Sequence, residues 1–483
     1  MTSLRSQIVG YLPATIVPAL VSFVSVYAFT RLLPAVEYGR YNVAFSGIMV
    51  AQSCCLYSLQ VGFLSFFPNA ERNGSVAAFV KTAYTAFFTV TAVASVLFLG
   101  AYLCVPARLM GGALALLSLL AFLLRSTVMF NQTANRAAGR MKRLNLIECL
   151  NAIAAFAAGG ILALCLRRSA EALLAGLALG ALCSLVADHW ALVKGMAAIP
   201  VNRPLLRDIG RFAGPLALSF VVSSLLQNSD RFLLGSLSGA AAVGIYAVAV
   251  TLIDRPVTLI CTAIHAASFP LMTHALEHEG AEVASRRMVR GGTLLMALTA
   301  PACVGLASTG VAVTNLMVGS EFRAGVIPLL PIIAWAVFLK ATALHFLEHA
   351  FHLSRRSGTL LAIYVPVTVL SVLANYQLVP RFGVAAAAWV AVGAQAVLTG
   401  AELLIGRRCF NFAFPYVDLG KIALACTAMA LVLAGLRFGT GWGGLLVTVV
   451  CGILVYFGCA LALNIGGIRR VALGRLLAPA TQR

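Results

Sequence analysis

Stretches of about twenty predominantly apolar residues follow one another almost from end to end of this 483-residue chain, separated by short polar connections. An α-helix needs about that many residues to cross a hydrocarbon core roughly 30 Å thick, so the bilayer is the solvent for most of the chain. Only 10% of the residues are charged and 61% are hydrophobic. A soluble domain carries about a quarter charged residues, and no water-exposed surface can be built from so few.

Spans are expected at roughly 8–30, 41–67, 79–104, 109–130, 146–166, 170–194 and 212–236, then at roughly 241–270, 291–315, 325–350, 357–378, 382–405, 420–437 and 441–463. The expected class is an all-α polytopic membrane protein of about 14 transmembrane helices. Lys and Arg are retained on the cytoplasmic side when they lie in short loops. Most of the 35 basic residues fall on one side of this arrangement, with clusters at Arg136 to Arg143, Arg203 to Arg211, Arg286 to Arg290 and Arg469 to Arg475. Both termini are therefore expected inside, in a bacterial inner membrane. The net charge of +20 is distributed as that rule requires, with no separate basic domain, so no nucleic-acid partner is expected. The first span lacks a small-residue cleavage pattern and reads as a retained membrane helix.

The chain repeats itself. Pro13, Arg31, Gly39-Arg40-Tyr41 and Phe67-Pro68 occur in that order across the first two spans; Pro215, Arg231, Gly244-Ile245-Tyr246 and Phe269-Pro270 occur in the same order across the seventh and eighth. Six helices separate the equivalent spans, and an even number returns the chain to the same side. The halves are therefore parallel repeats about an axis along the membrane normal. The expected organisation is a six-helix bundle over 1–200, a second over 201–410, and two further helices with a cytoplasmic tail over 411–483. Two such bundles can rock to open a cavity to either face.

Charge within hydrocarbon is costly, so ionisable residues inside spans are the first candidates for function. Arg125, Arg231, Arg255 and Lys340 lie within spans, and Arg31 is the repeat counterpart of Arg231. Arg125, Arg231 and Arg31 are close enough to span ends to reach headgroups instead. Arg255 and Lys340 lie deeper, beside Pro256 and after Pro328 and Pro331, where bent or interrupted helix is expected. Asp230 and Asp254 either bind a coupling ion or neutralise cations. Sequence neighbours on a helix point about 100° apart, so each would need a partner other than the adjacent arginine.

Other motifs are discounted. His345-Phe346-Leu347-Glu348-His349 has the form of an inverted zinc-protease pattern, but it sits at the end of a membrane helix, before His352 and Arg355-Arg356, with no soluble domain; it reads as a polar interfacial stripe, and no metal is expected. Gly159-Gly160 has no phosphate-loop context. Twelve cysteines, Cys54, Cys55, Cys104, Cys261 and Cys451 among them, lack ligand-like spacing and read as small apolar filler. No cofactor and no catalytic residue are expected.

The segment Arg31-Leu32-Leu33-Pro34-Ala35-Val36-Glu37-Tyr38-Gly39-Arg40-Tyr41 resembles the start of the polysaccharide flippases, the O-antigen and exopolysaccharide exporters of the multidrug/oligosaccharidyl-lipid/polysaccharide superfamily. Asn228-Ser229-Asp230-Arg231-Phe232-Leu233-Leu234-Gly235, followed by Ala242 to Ala249, resembles that family's seventh and eighth helices. The resemblance implies translocation of a polyprenyl-diphosphate-linked oligosaccharide to the outer leaflet, for lipopolysaccharide or exopolysaccharide biosynthesis. Membrane lipid is then a partner, and polysaccharide polymerase machinery stays open as another. A cationic cavity would suit the diphosphate. A multidrug or cation antiporter of the same superfamily, a lipid-linked peptidoglycan-precursor flippase and a membrane enzyme are the alternatives.

Overall fold

A computed structural model describes residues 4–102, 109–166, 168–189, 202–436 and 441–469. Cys104, residues 195–201 of the connection expected at 195–211, and residues 470–483 with Arg475 lie outside the described residues.

The described chain is helical. In order run α1 (Leu4–Leu32), α2 (Ala35–Cys55), α3 (Tyr57–Arg72), α4 (Val76–Tyr102), α5 (Gly112–Ala137), α6 (Met141–Cys165), α7 (Ala170–His189), α8 (Arg203–Ser238), α9 (Ala240–His278) and α10 (Ala281–Ser308). There follow α11 (Gly310–Met317), α12 (Ser320–Val326), a 3-10 turn (Ile327–Leu329), α13 (Leu330–Thr342), a π-turn (Ala343–Leu347), α14 (Glu348–Leu353), α15 (Ser357–Cys409), α16 (Tyr416–Gly435) and α17 (Trp442–Leu463). Among the described residues, twelve helical stretches are long and apolar enough to cross a bilayer.

Two details bring these to the fourteen crossings expected. Helix α8, with 36 residues, occupies the seventh expected span and is not among the twelve. Helix α15 has 53 residues, about 80 Å at 1.5 Å per residue, far more than one crossing needs. Its backbone leaves helical geometry at Gly383, at φ 62° and ψ −143°, just inside the start of the second of the two spans expected there, 357–378 and 382–405. An L side chain is strained in that region, so Gly383→Ala is expected to cost about 1–2 kcal/mol. Thermal unfolding in detergent would register the loss; an unchanged midpoint would show that the break relaxes freely. The interruption expected near Pro328 is the 3-10 turn.

Large apolar side chains point outward, as lipid requires: Val96 is 70% exposed, Val186 73% and Leu454 66%. Hydroxyls within helices bond back to the carbonyl one turn earlier, as Thr82 does to Ala78 at 2.8 Å and Thr299 to Leu295 at 2.8 Å, which satisfies them without water.

The chain divides into two compact units, Met1–Val248 with Tyr364–Ala387, and Ala249–Ile363 with Ala388–Arg483. In the first, a phenylalanine cluster of Phe63, Phe79, Phe87, Phe122 and Phe130 fills the core, with Phe87 and Phe130 stacked at 4.6 Å. The family-like segment at the start of α2 acts as a clamp. Glu37 accepts the Ala170 N–H at the head of α7 at 2.9 Å, a favourable place for a carboxylate. Arg40 bonds Glu37 at 3.0 Å and lies 3.6 Å from Glu171.

The repeated glycines meet each other. A Cβ on Gly39 would lie 1.7 Å from the Ala240 carbonyl oxygen, and one on Gly244 would lie 2.5 Å from the Ala35 carbonyl oxygen. Ala35 precedes Gly39 by one helical turn, and Ala240 precedes Gly244 by the same step. The contact is therefore reciprocal, i with j and j with i, which is the signature of a two-fold crossing. Helices that approach through backbone need small residues at the crossing.

In the second unit, α10 packs on α13 and α16, and α16 packs on α17. The Tyr456 hydroxyl donates to the Ala297 carbonyl at 2.6 Å, tying α17 to α10. The last two helices are thus part of this unit. Between them and α9–α10 lies an apolar groove of about 340 Å³ lined by Pro256, Pro301, Met429, Leu433, Tyr456 and Phe457 among others.

Candidate functional site

The seven candidate charges fall into two groups, one in each unit. In the first unit, Arg125 on α5 and Arg231 on α8 both reach the same turn of α2. The Arg125 guanidinium stands over the Phe45 ring at 5.4 Å, a cation–π arrangement. Arg231 donates through Nη1 to the Ser46 hydroxyl at 3.3 Å and to Asn228 Oδ1 at 3.0 Å. Its Nε is buried with no acceptor among the described residues. Glu148 on α6 lies in the field of Arg125. A half-buried, cationic patch with an acid behind it is the result.

Asp230 bonds elsewhere than to the neighbouring guanidinium. The buried Tyr246 hydroxyl donates to its carboxylate, and the backbone N–H of Arg231 donates to Oδ1 at 2.8 Å. Tyr246 belongs to the repeated Gly-Ile-Tyr segment, so that segment positions the acid. Arg31 is separate from this patch: it is exposed, its guanidinium lies 3.9 Å over the Tyr27 ring, and it donates to the Tyr27 carbonyl at 3.1 Å.

In the second unit, the Lys340 ammonium on α13 forms an ion pair with the Asp254 carboxylate on α9. Both side chains are about a quarter exposed or less, 27% and 20%. Two candidates far apart in sequence are thereby joined. Arg255, next to Asp254, is exposed and has no ion pair or hydrogen bond among the described residues.

Two ionisable residues of this unit, His265 and Glu402, belong to no motif that the sequence displays. His265 Nδ1 lies 3.0 Å from His349 Nε2, and Glu402 is completely buried. Both lie within expected spans, where an ionisable side chain is itself a signal. The histidine pattern at 345–349 contributes His349 to this contact. Among the described residues, no three His, Cys, Asp or Glu side chains converge as a metal's ligand set. The first unit thus presents two guanidinium groups, whose N–H donors suit an anion, and the second presents an ion pair.

Comparison with known proteins places this arrangement. A family model described as polysaccharide biosynthesis protein matches residues 28–327. No curated protein matches the chain significantly. Among solved structures, lipid II flippase MurJ in its inward closed conformation is similar at a TM-score of 0.74, with 13% identity over 93% of this chain and 98% of that one. An inward-facing multidrug resistance MATE transporter of the MOP superfamily is similar at 0.63, with 16% identity over 85% and 96%. A MOP superfamily transporter from Pyrococcus furiosus is similar at 0.56, with 15% identity over 87% and 97%. At such identities the likeness is one of fold, the fold of membrane transporters. Because the family match spans more than half of the sequence, this multi-pass membrane chain belongs to the polysaccharide biosynthesis protein family.

Proposed function

We propose that the protein moves a polyprenyl-diphosphate-linked oligosaccharide from the cytoplasmic to the outer leaflet of a bacterial inner membrane by alternating access, with both termini cytoplasmic. The observation that carries this reading is the convergence of Arg125 and Arg231 on one turn of α2, within a chain of the polysaccharide biosynthesis family. A diphosphate keeps its negative charge at any physiological pH, and guanidinium groups offer it charge-assisted hydrogen bonds in a medium where water does not. Lys340 and Arg255 are the cations assigned to the same substrate in the second unit. The apolar groove by α16 and α17 suits an isoprenoid chain, because its lining carries almost nothing polar. The glycan follows the diphosphate, and polymerase machinery would receive it at the outer face.

The test is transfer of a fluorescent polyprenyl-diphosphate oligosaccharide in proteoliposomes, by the native protein and by Arg255→Ala. Arg255 is exposed and has no ion pair among the described residues, so its removal is expected to change stability by no more than about 0.5 kcal/mol. A lost charge-assisted contact of about 1.5–3 kcal/mol corresponds to a fall in transfer of about ten- to a hundredfold. Undiminished transfer would remove Arg255 from the substrate path. Movement of organic cations without glycan lipid would establish the antiporter alternative. Preference for lipid-linked peptidoglycan precursor, the kind of substrate named for the MurJ structure, would reassign the cargo.

A further inference from the structure

Positive charge gathers at one end of the second unit, where α14 stops and the last turn of α15 returns. A Cβ on Gly406 of α15 would lie 3.3 Å from the Phe351 ring and 3.5 Å from the Ala350 Cβ, both on α14. Arg356, in the turn between the two helices, donates through Nη1 to Cys409 Sγ at 3.9 Å. Arg355 and Arg356 are thereby brought beside Arg407 and Arg408, and all four are exposed. Retention of basic residues on one side of a bilayer accounts for their presence at this end but not for their grouping. Ser285 on α10 donates to the Asn411 carbonyl at 2.9 Å, so the start of α10 stands at this end too. There each arginine is matched by an acid, Arg286 by Glu282 at 2.5 Å and Arg287 by Glu279 at 2.7 Å. Arg355, Arg356, Arg407 and Arg408 have no ion pair among the described residues.

The cluster stands at the level of lipid headgroups. Arg407 Nη1 lies 3.5 Å from the hydroxyl of Tyr416, the first residue of α16. That tyrosine is 56% exposed and Val417 after it 73%, at the head of a helix apolar enough to cross a bilayer. An exposed tyrosine in that position lays its ring among acyl chains and its hydroxyl among headgroups. The guanidinium beside the hydroxyl is then within reach of lipid phosphates. The ring is also fixed in place: it packs on Phe414 at 4.8 Å, and Phe414 packs on Phe346 at 5.9 Å.

One of the four arginines is held at a cost. Arg355 closes α14 in the left-handed region, at φ 57°. The Arg356 N–H donates to the Phe351 carbonyl at 2.9 Å and the Arg355 N–H to the His352 carbonyl at 3.2 Å. These are the two bonds of a helix end built around a left-handed residue, a place that glycine takes without strain. Glycine would make the same backbone bonds; what arginine adds is a fourth guanidinium in the cluster.

We propose that Arg355, Arg356, Arg407 and Arg408 form, with Tyr416, a binding site for an anionic phospholipid of the surrounding bilayer. The phosphodiester oxygens accept charge-assisted hydrogen bonds from the guanidinium groups, and an acyl chain lies along Tyr416 and Val417. The lipid supplies the negative charge that the four arginines lack and fastens the turn before α15 to its last turn. It is a fixed partner of the protein, distinct from the cargo, and the site stands whether or not the function proposed above holds.

The test titrates the purified protein in a nonionic detergent with phosphatidylglycerol, with phosphatidylcholine and with inorganic phosphate. Retained lipid is counted by native mass spectrometry, and the thermal midpoint is followed in parallel. Phosphatidylglycerol should be retained and should raise the midpoint; the other two should do neither. Each arginine near a membrane surface changes the affinity for anionic lipid about fivefold, so Arg407→Gln/Arg408→Gln should bind phosphatidylglycerol about thirtyfold more weakly. Arg286→Gln, at the same end but taken from an ion pair, should bind as the native protein does. Arg355→Gly should have the higher midpoint without lipid, because its strain is relieved, and should bind about fivefold more weakly. A variant that folds better and binds worse separates the site from a merely structural role. Equal retention of phosphatidylcholine overturns the site, as does undiminished binding in the double variant. An equal midpoint rise with inorganic phosphate overturns the lipid as its occupant. Equal weakening in Arg286→Gln reduces the cluster to diffuse surface charge and overturns it as well.

Discussion

Gly39→Ala is expected to destabilise the protein by about 3 kcal/mol or more and to cut its yield from the membrane. Its Cβ would stand 1.7 Å from the Ala240 carbonyl oxygen, a backbone atom that cannot swing aside as a side-chain end can. Overpacking against yielding neighbours costs about 1–3 kcal/mol, and here the whole helix has to shift. Gly244→Ala, at 2.5 Å from the Ala35 carbonyl, should act in the same direction and less strongly. Because both report on one crossing, the double variant should lose less than the sum. Gly100→Ala is the control: it also lies within a helix, but nothing stands within 4 Å of its Cβ position. There alanine should be neutral or stabilising by about 0.5–1 kcal/mol. Thermal unfolding of the four variants in one detergent decides the matter. A Gly39→Ala midpoint equal to that of Gly100→Ala would mean that the crossing is loose.

Lys340→Ala should lower stability and transfer together, whereas the double variant Lys340→Ala/Asp254→Ala should recover stability alone. Removing one partner of a buried pair leaves the other charge uncompensated at about 3–5 kcal/mol. With side chains 27% and 20% exposed, water screens part of that, and about 2–3 kcal/mol is expected. Removing both charges abolishes the penalty, so the cycle should give a coupling of about 2 kcal/mol. Transfer of the diphosphate lipid stays low in the double variant, because the cation is gone. Recovery of transfer with stability would reduce Lys340 to a structural partner of Asp254.

The fourteen crossings were legible because each is a physical necessity of crossing lipid: about twenty apolar residues per span, with polar punctuation. Even α8, which lies outside the twelve apolar stretches, coincides with an expected span, and the division of α15 falls within a few residues of the expected boundary, at Gly383. The landmarks Gly39 and Gly244 were legible as a repeat. What the repeat is for was not, because nothing in a one-dimensional pattern says that two equivalent glycines touch each other. Candidate charges were legible for the same reason as the spans, since an ionised side chain in hydrocarbon is conspicuous. Their sorting was not: Arg125 and Arg231 meet at Phe45 and Ser46, Lys340 finds Asp254 across 86 positions, and Arg31 stays apart over Tyr27.

By itself, the sequence determined that the chain is helical, spans the membrane many times, repeats itself in parallel, and carries charge at depths where charge is costly. These are local properties, decided residue by residue by the free energy of transfer into lipid. Only the tertiary structure decided which charges are paired, that His349 of a discounted motif faces His265, and that Glu402 is fully buried. Pairing energies fall off over a few ångströms, and only the packing of separate helices brings such groups that close.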